Sequence, residues 1–218
     1  MSSQATAIRQ APRRVVPSLE RERASAEVIA LARFAGARGW VPATSGNFSA
    51  RIDGKFAAIT ASGREKSEIE ADGVMVTPLS GPMPVGASAE AHLHFMLYRL
   101  DPGIGAIAHT HSHAAILLSR RHGTKGALVL TGFELQKAIR GVTTHEAHVE
   151  LPIVANDQDT AKLAQAARKA VSGRAGVYGF LIEGHGLYAW GSDGAEARRH
   201  LEAYEALLAL VLAEEGAN

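Results

Sequence analysis

Three histidines set the chemical question. In His109-Thr110-His111 two imidazoles stand two residues apart, and at the two-residue period of a strand both point to one face, within reach of a single ion. His185 lies much further along the chain between Gly184 and Gly186, and flanking glycines allow a tight turn that brings a side chain close to a crowded centre. Neutral imidazole is a standard nitrogen ligand of zinc, and catalytic zinc sites use three protein ligands and leave a position open. The sequence contains no cysteine, so a metal would have to sit on nitrogen and oxygen, and neither a thiolate nucleophile nor a disulfide is available. An isolated His-x-His pair is equally what two ordinary surface or core histidines look like; the Gly-His-Gly turn between apolar segments is what favours a metal. His113 is read as an outer partner or solvent-facing, His92 and His94 as packed or solvent-facing, and His145 and His148 as structural.

Two further kinds of group are worth placing. Thr44-Ser45-Gly46-Asn47 and Ser62-Gly63 offer hydroxyls and glycine-exposed amides, the makings of an anion-binding concavity and equally of ordinary turns. Ser88 reads as the cap of a helix whose free amides and positive end favour a phosphate. For proton transfer next to a carbonyl polarised by a metal, the candidates are Glu90 and Glu134. At a helix start a carboxylate is also favoured for purely structural reasons, so position alone does not settle Glu90.

The elements that must position these groups follow from periodicity. Residues 1–18 carry no pattern and read as a flexible tail, leaving residues 19–218 as a single domain. Leu19–Gly39 is an amphipathic helix; Asn47–Ile52 and Phe56–Thr60 are strands joined by an Asp53-Gly54 turn, with a third strand over Val74–Thr77. Ala89–Leu100 is a helix with Leu93, Met96, Leu97 and Leu100 as its buried stripe. Ile104–His109 is a central strand leading into the helix Ala114–Arg120, and Glu134–Ile139 is a short helix. Val177–Glu183 and Leu187–Trp190 are strands around the Gly-His-Gly turn, before a long final helix over Asp193–Glu215. Strands joined both by tight turns and by helices imply a three-layer α/β/α fold with a mixed, largely antiparallel central sheet.

Composition narrows the partners. The 218 residues are 46% hydrophobic, enough for a proper core. The 23 Lys+Arg against 22 Asp+Glu give a net charge of +1, which argues against nucleic acid and anionic membrane surfaces as partners. With neither a signal-like stretch nor a membrane-length apolar run, the expectation is a cytoplasmic protein.

Taken together, VPATSGNFSARID, ITASGREK, SAEAHLH, AIAHTHSHAAILLSR, FELQKAIRGVTTHEA, LPIVANDQD and IEGHGLYAWGSDGAEARRHLEAYE make the chain resemble the class II aldolase/adducin family over about residues 25 to 212. The stretch around Glu134, with ANDQD and GHGLYAWG, looks like the dehydratases of methionine salvage rather than the fuculose-phosphate aldolases or ribulose-phosphate epimerases. The resemblance implies a hydro-lyase acting on a small phosphorylated ketose. It implies one zinc ion per subunit on His109, His111 and His185, with Glu134 as general acid/base. Glu90 falls where aldolase relatives place their acidic catalytic residue and is taken as a supporting site residue. Asn47, Ser62, Gly63 and Ser88 fall where relatives hold substrate phosphate, and Lys66 is added because a cation would help bind a dianion. Ala89 replaces a serine of the aldolase relatives, which weakens an aldolase assignment. Relatives form homotetramers with sites between subunits. The competing readings are a sugar-phosphate aldolase or epimerase, and a non-catalytic adducin-like binding module.

Overall fold

The computed structural model describes residues 17–217. The tail expected over residues 1–18 therefore lies almost entirely outside the described residues, and Ser18 already belongs to the first helix, α1 (Ser18–Ala37). Gly39, with φ of 71°, ends that helix as Trp40 N–H donates back to the Ala35 carbonyl, a left-handed stop that glycine makes without strain. The strands β1 (Asn47–Arg51), β2 (Phe56–Thr60) and β3 (Val74–Pro78) form an antiparallel meander. Its first turn is held by the Asp53 carboxylate, which accepts from the Lys55 and Phe56 amides at 2.7 and 2.8 Å. Helix α2 (Ala91–Leu100) leads to β4 (Ala106–Thr110), which returns beside β1, and α3 (His113–His122) follows.

Beyond α3 the chain makes β5 (Ala127–Leu130), a single 3-10 turn at Glu134–Ala138, β6 (Val149–Val154), α4 (Thr160–Val171), β7 (Gly179–Ile182), β8 (Gly186–Gly191) and α5 (Gly194–Ala217). Strands β5 and β6 and helix α4 have no counterpart in the periodicity reading. The described residues form one eight-stranded sheet in the order β3-β2-β1-β4-β8-β7-β6-β5. Every pairing is antiparallel except β6 with β7, the pair joined through the crossover helix α4, as a parallel connection requires. The expected three-layer α/β/α architecture with a mixed, largely antiparallel sheet is the one observed.

Two apolar cores face the sheet from opposite sides. On one side α1, α3 and α5 pack with Phe48, Ala50, Ala108 and Ala189; on the other α2 and α4 pack with Ile59, Ile107, Phe180 and Tyr188. Neighbouring residues of one strand thus serve opposite cores, as the pleat requires. No helix among the described residues is long and apolar enough to cross a membrane.

Two details of α2 differ from expectation. Ser88 is not its cap: the helix begins at Ala91 with Glu90 in the capping position, and the Ser88 hydroxyl accepts from the Glu90 amide at 3.3 Å. A tight turn, in which Ala91 N–H donates to the Ser88 carbonyl, inserts Ala89 and Glu90 ahead of the helix. His94 is fully buried, whereas Leu100 is only partly so.

Helix α5 brings one charge into the sheet. Glu205 is buried beneath β4, where its carboxylate accepts from the hydroxyls of Thr110 and Ser112, the residues on either side of His111. Burial pushes its pKa up to about 7 against the restraining effect of those two hydroxyls. A carboxyl whose folded pKa lies above its unfolded value stabilises the fold at low pH and loses that contribution as pH rises through about 7. Glu205→Gln should keep both hydrogen bonds and remove the titration. Wild type is therefore expected to lose on the order of 3 kcal/mol relative to this variant between pH 5 and pH 8, measured as the gap between their urea-unfolding free energies across that range. A constant gap would show that Glu205 does not titrate there.

Candidate metal centre

The site is built on a row of side chains crossing the sheet. In the register Asn47 lies opposite His109, His109 opposite Tyr188 and Tyr188 opposite Phe180, on four adjacent strands. Cross-strand partners on one face approach closely enough to pack. The His109 ring stacks on Tyr188 at 4.0 Å and 14°, and Tyr188 stacks on Phe180 at 4.9 Å and 3°. His109 Nδ1–H donates to the Leu187 carbonyl at 2.9 Å. A carbonyl only accepts, so Nδ1 carries the hydrogen and Nε2 presents its lone pair to the centre.

His111, one step past the end of β4, is held by its own amide, which donates to the Trp40 carbonyl at 2.7 Å. Its ring meets His109 with Nε2 atoms 2.9 Å apart. Burial, and then the neighbouring imidazoles His109 and His185, push its pKa down to about 3, so at neutral pH it is the uncharged ligand form. His185 stands on the β7–β8 turn. Gly184 there has φ of 64°, and its amide donates to the Ser119 hydroxyl at 3.0 Å. A Cβ added at Gly186 would run into the Thr110 carbonyl oxygen, so glycine at this position is what lets β8 close against β4 and set His185 Nε2 3.4 Å from His109 Nε2.

Glu90 closes the fourth side, with Oε1 2.7 Å from His185 Nε2 and Oε2 3.4 Å from His109 Nε2. Burial opposes its ionisation, but the imidazoles of His109 and His185 outweigh this and hold the carboxyl well below the usual carboxylate range. The Asn47 amide donates to Glu90 Oε2 at 2.5 Å. One ligand atom from each of Glu90, His109, His111 and His185 falls within 4.8 Å of all the others. At zinc–nitrogen bonds of about 2.0–2.1 Å, tetrahedral geometry sets ligand nitrogens about 3.3–3.4 Å apart; the spacing of His109 and His185 fits that edge, and His109 to His111 is somewhat shorter. An all-nitrogen-and-oxygen set around one point fits a divalent transition ion.

The residues considered for phosphate fall beside this cluster. An antiparallel bridge between Ala61 and Ala87, with Ser62 N–H donating to the Gly86 carbonyl at 2.9 Å, brings the loops carrying Ser62, Gly63 and Ser88 together. Asn47 Nδ2 lies 3.4 Å from Ser88 Oγ. Ahead of Asn47 the backbone takes left-handed conformations at Ala43 (φ 53°) and Thr44 (φ 61°), conformations that non-glycine residues adopt at a cost and that cluster at functional loops. Lys66 is 1% exposed, and its ammonium donates to the carbonyls of Thr44 and Arg64 at 2.7 and 2.6 Å; it pins the two loops and puts a positive charge behind them.

Glu134 is not brought to this cluster. It lies on the 3-10 turn after β5 with its side chain 68% exposed, paired with Lys137 and, at 3.3 Å, with His145, and the hydrogen bond from Lys137 lowers its pKa. His113, His145 and His148 are exposed. Tyr188 and Glu205, which brace the centre from its two sides, were not singled out in the sequence. Residue alternation in Leu187-Tyr188-Ala189 was the available signal for Tyr188; nothing local marks Glu205.

A match to the family described as "Class II Aldolase and Adducin N-terminal domain" spans residues 26–212. The methylthioribulose-1-phosphate dehydratase of Parvibaculum lavamentivorans is 52% identical over 204 residues, covering 94% of this chain and 100% of the relative. That of Sorangium cellulosum is 50% identical over 196 residues, covering 88% and 92%. Among solved structures, the L-fuculose-1-phosphate aldolase of Thermus thermophilus superposes with a TM-score of 0.70 at 29% identity, covering 90% of this chain and 97% of that one. The sugar-phosphate aldolase of Thermotoga maritima, at 18% identity and a TM-score of 0.68, shares the fold.

The β7–β8 turn makes a direct test. Gly186→Ala should destabilise the protein by about 1–3 kcal/mol, the usual cost of an overpacked core, and lower the content of any divalent metal in the purified protein. Gly184→Asn, which tolerates the left-handed conformation, should retain the metal. Thermal unfolding with elemental analysis on the same samples reads both, and a Gly186→Ala variant with full metal content would contradict this account of the turn.

Proposed function

Because the chain belongs to the class II aldolase and adducin N-terminal domain family, we propose that it is a zinc-dependent hydro-lyase of methionine salvage. It removes water from 5-methylthioribulose 1-phosphate to give 2,3-diketo-5-methylthiopentyl 1-phosphate. The observation that carries the reading is the convergence of Glu90, His109, His111 and His185 on one point. The choice of reaction is supported by relatives about half identical that bear the name methylthioribulose-1-phosphate dehydratase.

His109, His111 and His185 would hold the ion, with Glu90 balancing part of its charge. Bound there, zinc supplies Lewis acidity beside the C2 carbonyl and so makes the C3 hydrogen acidic. Asn47, Ser62, Gly63 and Ser88 bind the C1 phosphate through amides and hydroxyls, and Lys66 adds its charge from behind the loop. Glu134 takes the C3 proton and delivers a proton to the departing C4 hydroxyl, which leaves as water. The resulting C3 enol returns a proton to C4 and becomes the second carbonyl.

In the single chain Glu134 is exposed and paired with Lys137, a poor setting for an acid/base catalyst. Its role therefore calls for a second copy of the chain, the homotetramer that the family resemblance implies, to carry it over a neighbouring centre. Glu134→Gln should lower kcat by about 10²- to 10⁴-fold with zinc retained. Alone, Glu134→Gln and His109→Asn should each be strongly impaired, whereas co-expressed mixed oligomers should recover part of the activity. Mixed oligomers as inactive as the parents would rule out action across subunits.

The likeness to an L-fuculose-1-phosphate aldolase keeps carbon–carbon cleavage as a second reading. Product analysis on methylthioribulose 1-phosphate separates the two: loss of water and a diketone for the dehydratase, a three-carbon keto phosphate for an aldolase. Protein purified without chelator and free of metal would instead favour the non-catalytic module.

A further inference from the structure

A continuous line of polar side chains runs from the last turn of α2 to the candidate metal centre. The Tyr98 hydroxyl lies 2.8 Å from Ser49 Oγ, Ser49 Oγ 2.6 Å from His94 Nδ1, His94 Nε2 2.5 Å from Asn47 Oδ1, and Asn47 Nδ2 2.5 Å from Glu90 Oε2. Asn47, Ser49, His94 and Tyr98 are buried. Periodicity explains the alignment: Glu90, His94 and Tyr98 are spaced four apart along one helical face, and Asn47 and Ser49 two apart along one strand face.

Chemistry fixes the direction of every bond. An ionised carboxylate only accepts, so the Asn47 amide nitrogen faces Glu90 and its carbonyl oxygen faces His94. That oxygen also only accepts, so His94 carries its hydrogen on Nε2. The neutral ring then accepts at Nδ1 from the Ser49 hydroxyl, which in turn accepts from Tyr98. All four donors point toward Glu90. Burial, with the nearby His109 adding to it, pushes the His94 pKa down to about 3 and keeps the ring in this neutral form. The edge of the ring packs on Tyr188 at 5.5 Å, which limits its rotation.

We propose that His94 is a positioning residue: by donating to the Asn47 carbonyl it fixes the Asn47 amide, and through that amide the direction in which Glu90 faces the metal centre. The proposal rests on the metal reading above. Outer hydrogen bonds of this kind orient the groups around an ion, and their loss typically costs about 10- to 100-fold in metal affinity or activity.

Two neutral, polar replacements separate positioning from packing. In His94→Gln the side-chain amide nitrogen takes the place of Nε2 and can still donate to Asn47. In His94→Asn the side chain can satisfy Ser49 but falls short of Asn47. The sequence holds three asparagines, Asn47, Asn156 and Asn218, so selective nitrogen-15 asparagine labelling yields a simple spectrum in which Asn47→Asp identifies the Asn47 side-chain signal. That signal should stay in place in His94→Gln and move in His94→Asn, where the introduced asparagine makes a fourth and the Asn47 signal is identified by the His94→Asn/Asn47→Asp double variant. Zinc affinity, measured by competition with a chromophoric chelator, should fall about tenfold or more in His94→Asn and be largely recovered in His94→Gln.

A His94→Asn protein with the wild-type Asn47 signal and zinc affinity, or a His94→Gln protein no better than His94→Asn, overturns the proposal. If wild type binds no zinc, the metal reading fails by itself and the Asn47 signal alone decides the role of His94. Should the His94 variants not fold, Ser49→Ala removes the hydroxyl that holds Nδ1. An Asn47 signal unmoved by that change is then the contrary result.

Discussion

The pairing of β4 with β8 is the constraint on which the centre depends. Its register sets His109 against Tyr188 and Thr110 against Leu187, and the close approach at Gly186 lets the two strands run together up to the β7–β8 turn. From that one alignment follow the stacked ring under His109, the hydrogen bond that fixes its tautomer and the spacing of two histidines distant in sequence. A slip of one residue would turn His109 toward the opposite core.

The pleat also explains how the strand is held from behind. His109 faces one layer of the sandwich and Thr110 the other, where Glu205 accepts from it and from Ser112. The backbone bearing His109 and His111 is thus anchored on the side away from the histidine cluster. A buried carboxyl is an expensive anchor, and its raised pKa records that expense.

Much of this was legible in the sequence, unevenly so. The His-x-His pair and the Gly-His-Gly turn state their geometry locally, because strand period and glycine conformation are short-range properties, and all three histidines meet. The Asp53-Gly54 turn and the limits of β2 were equally plain. Strand β5 was not: Ala127–Leu130 has four residues at the edge of the sheet and exposes Val129. Helix α4 buries two alanines with Leu163 and Val171, a face too small to stand out as an apolar stripe, although Asp159 was there as a cap. The Ser88 cap was misjudged because a turn preceding a helix and the helix's own first turn look alike in sequence. The closeness of Glu90 to the imidazoles, and the line from Tyr98 to Asn47, depend on which strand β1 lies beside, a long-range fact that no local pattern carries.

The order of strands separates the place of the cluster from the path of the chain. β1, β4 and β8 are immediate neighbours in the sheet, yet the stretch between β4 and β8 holds α3, β5, β6, α4 and β7, and Glu134 with it. That excursion starts with His111 and ends with His185, and its three strands extend the sheet beyond β8, so the register of β4 with β8, rather than the length of what lies between them, is what sets the histidines together. The cluster is closed by a join between residues far apart in the chain, so a change to the middle of the intervening segment that kept both of its ends in place would leave the histidine cluster standing.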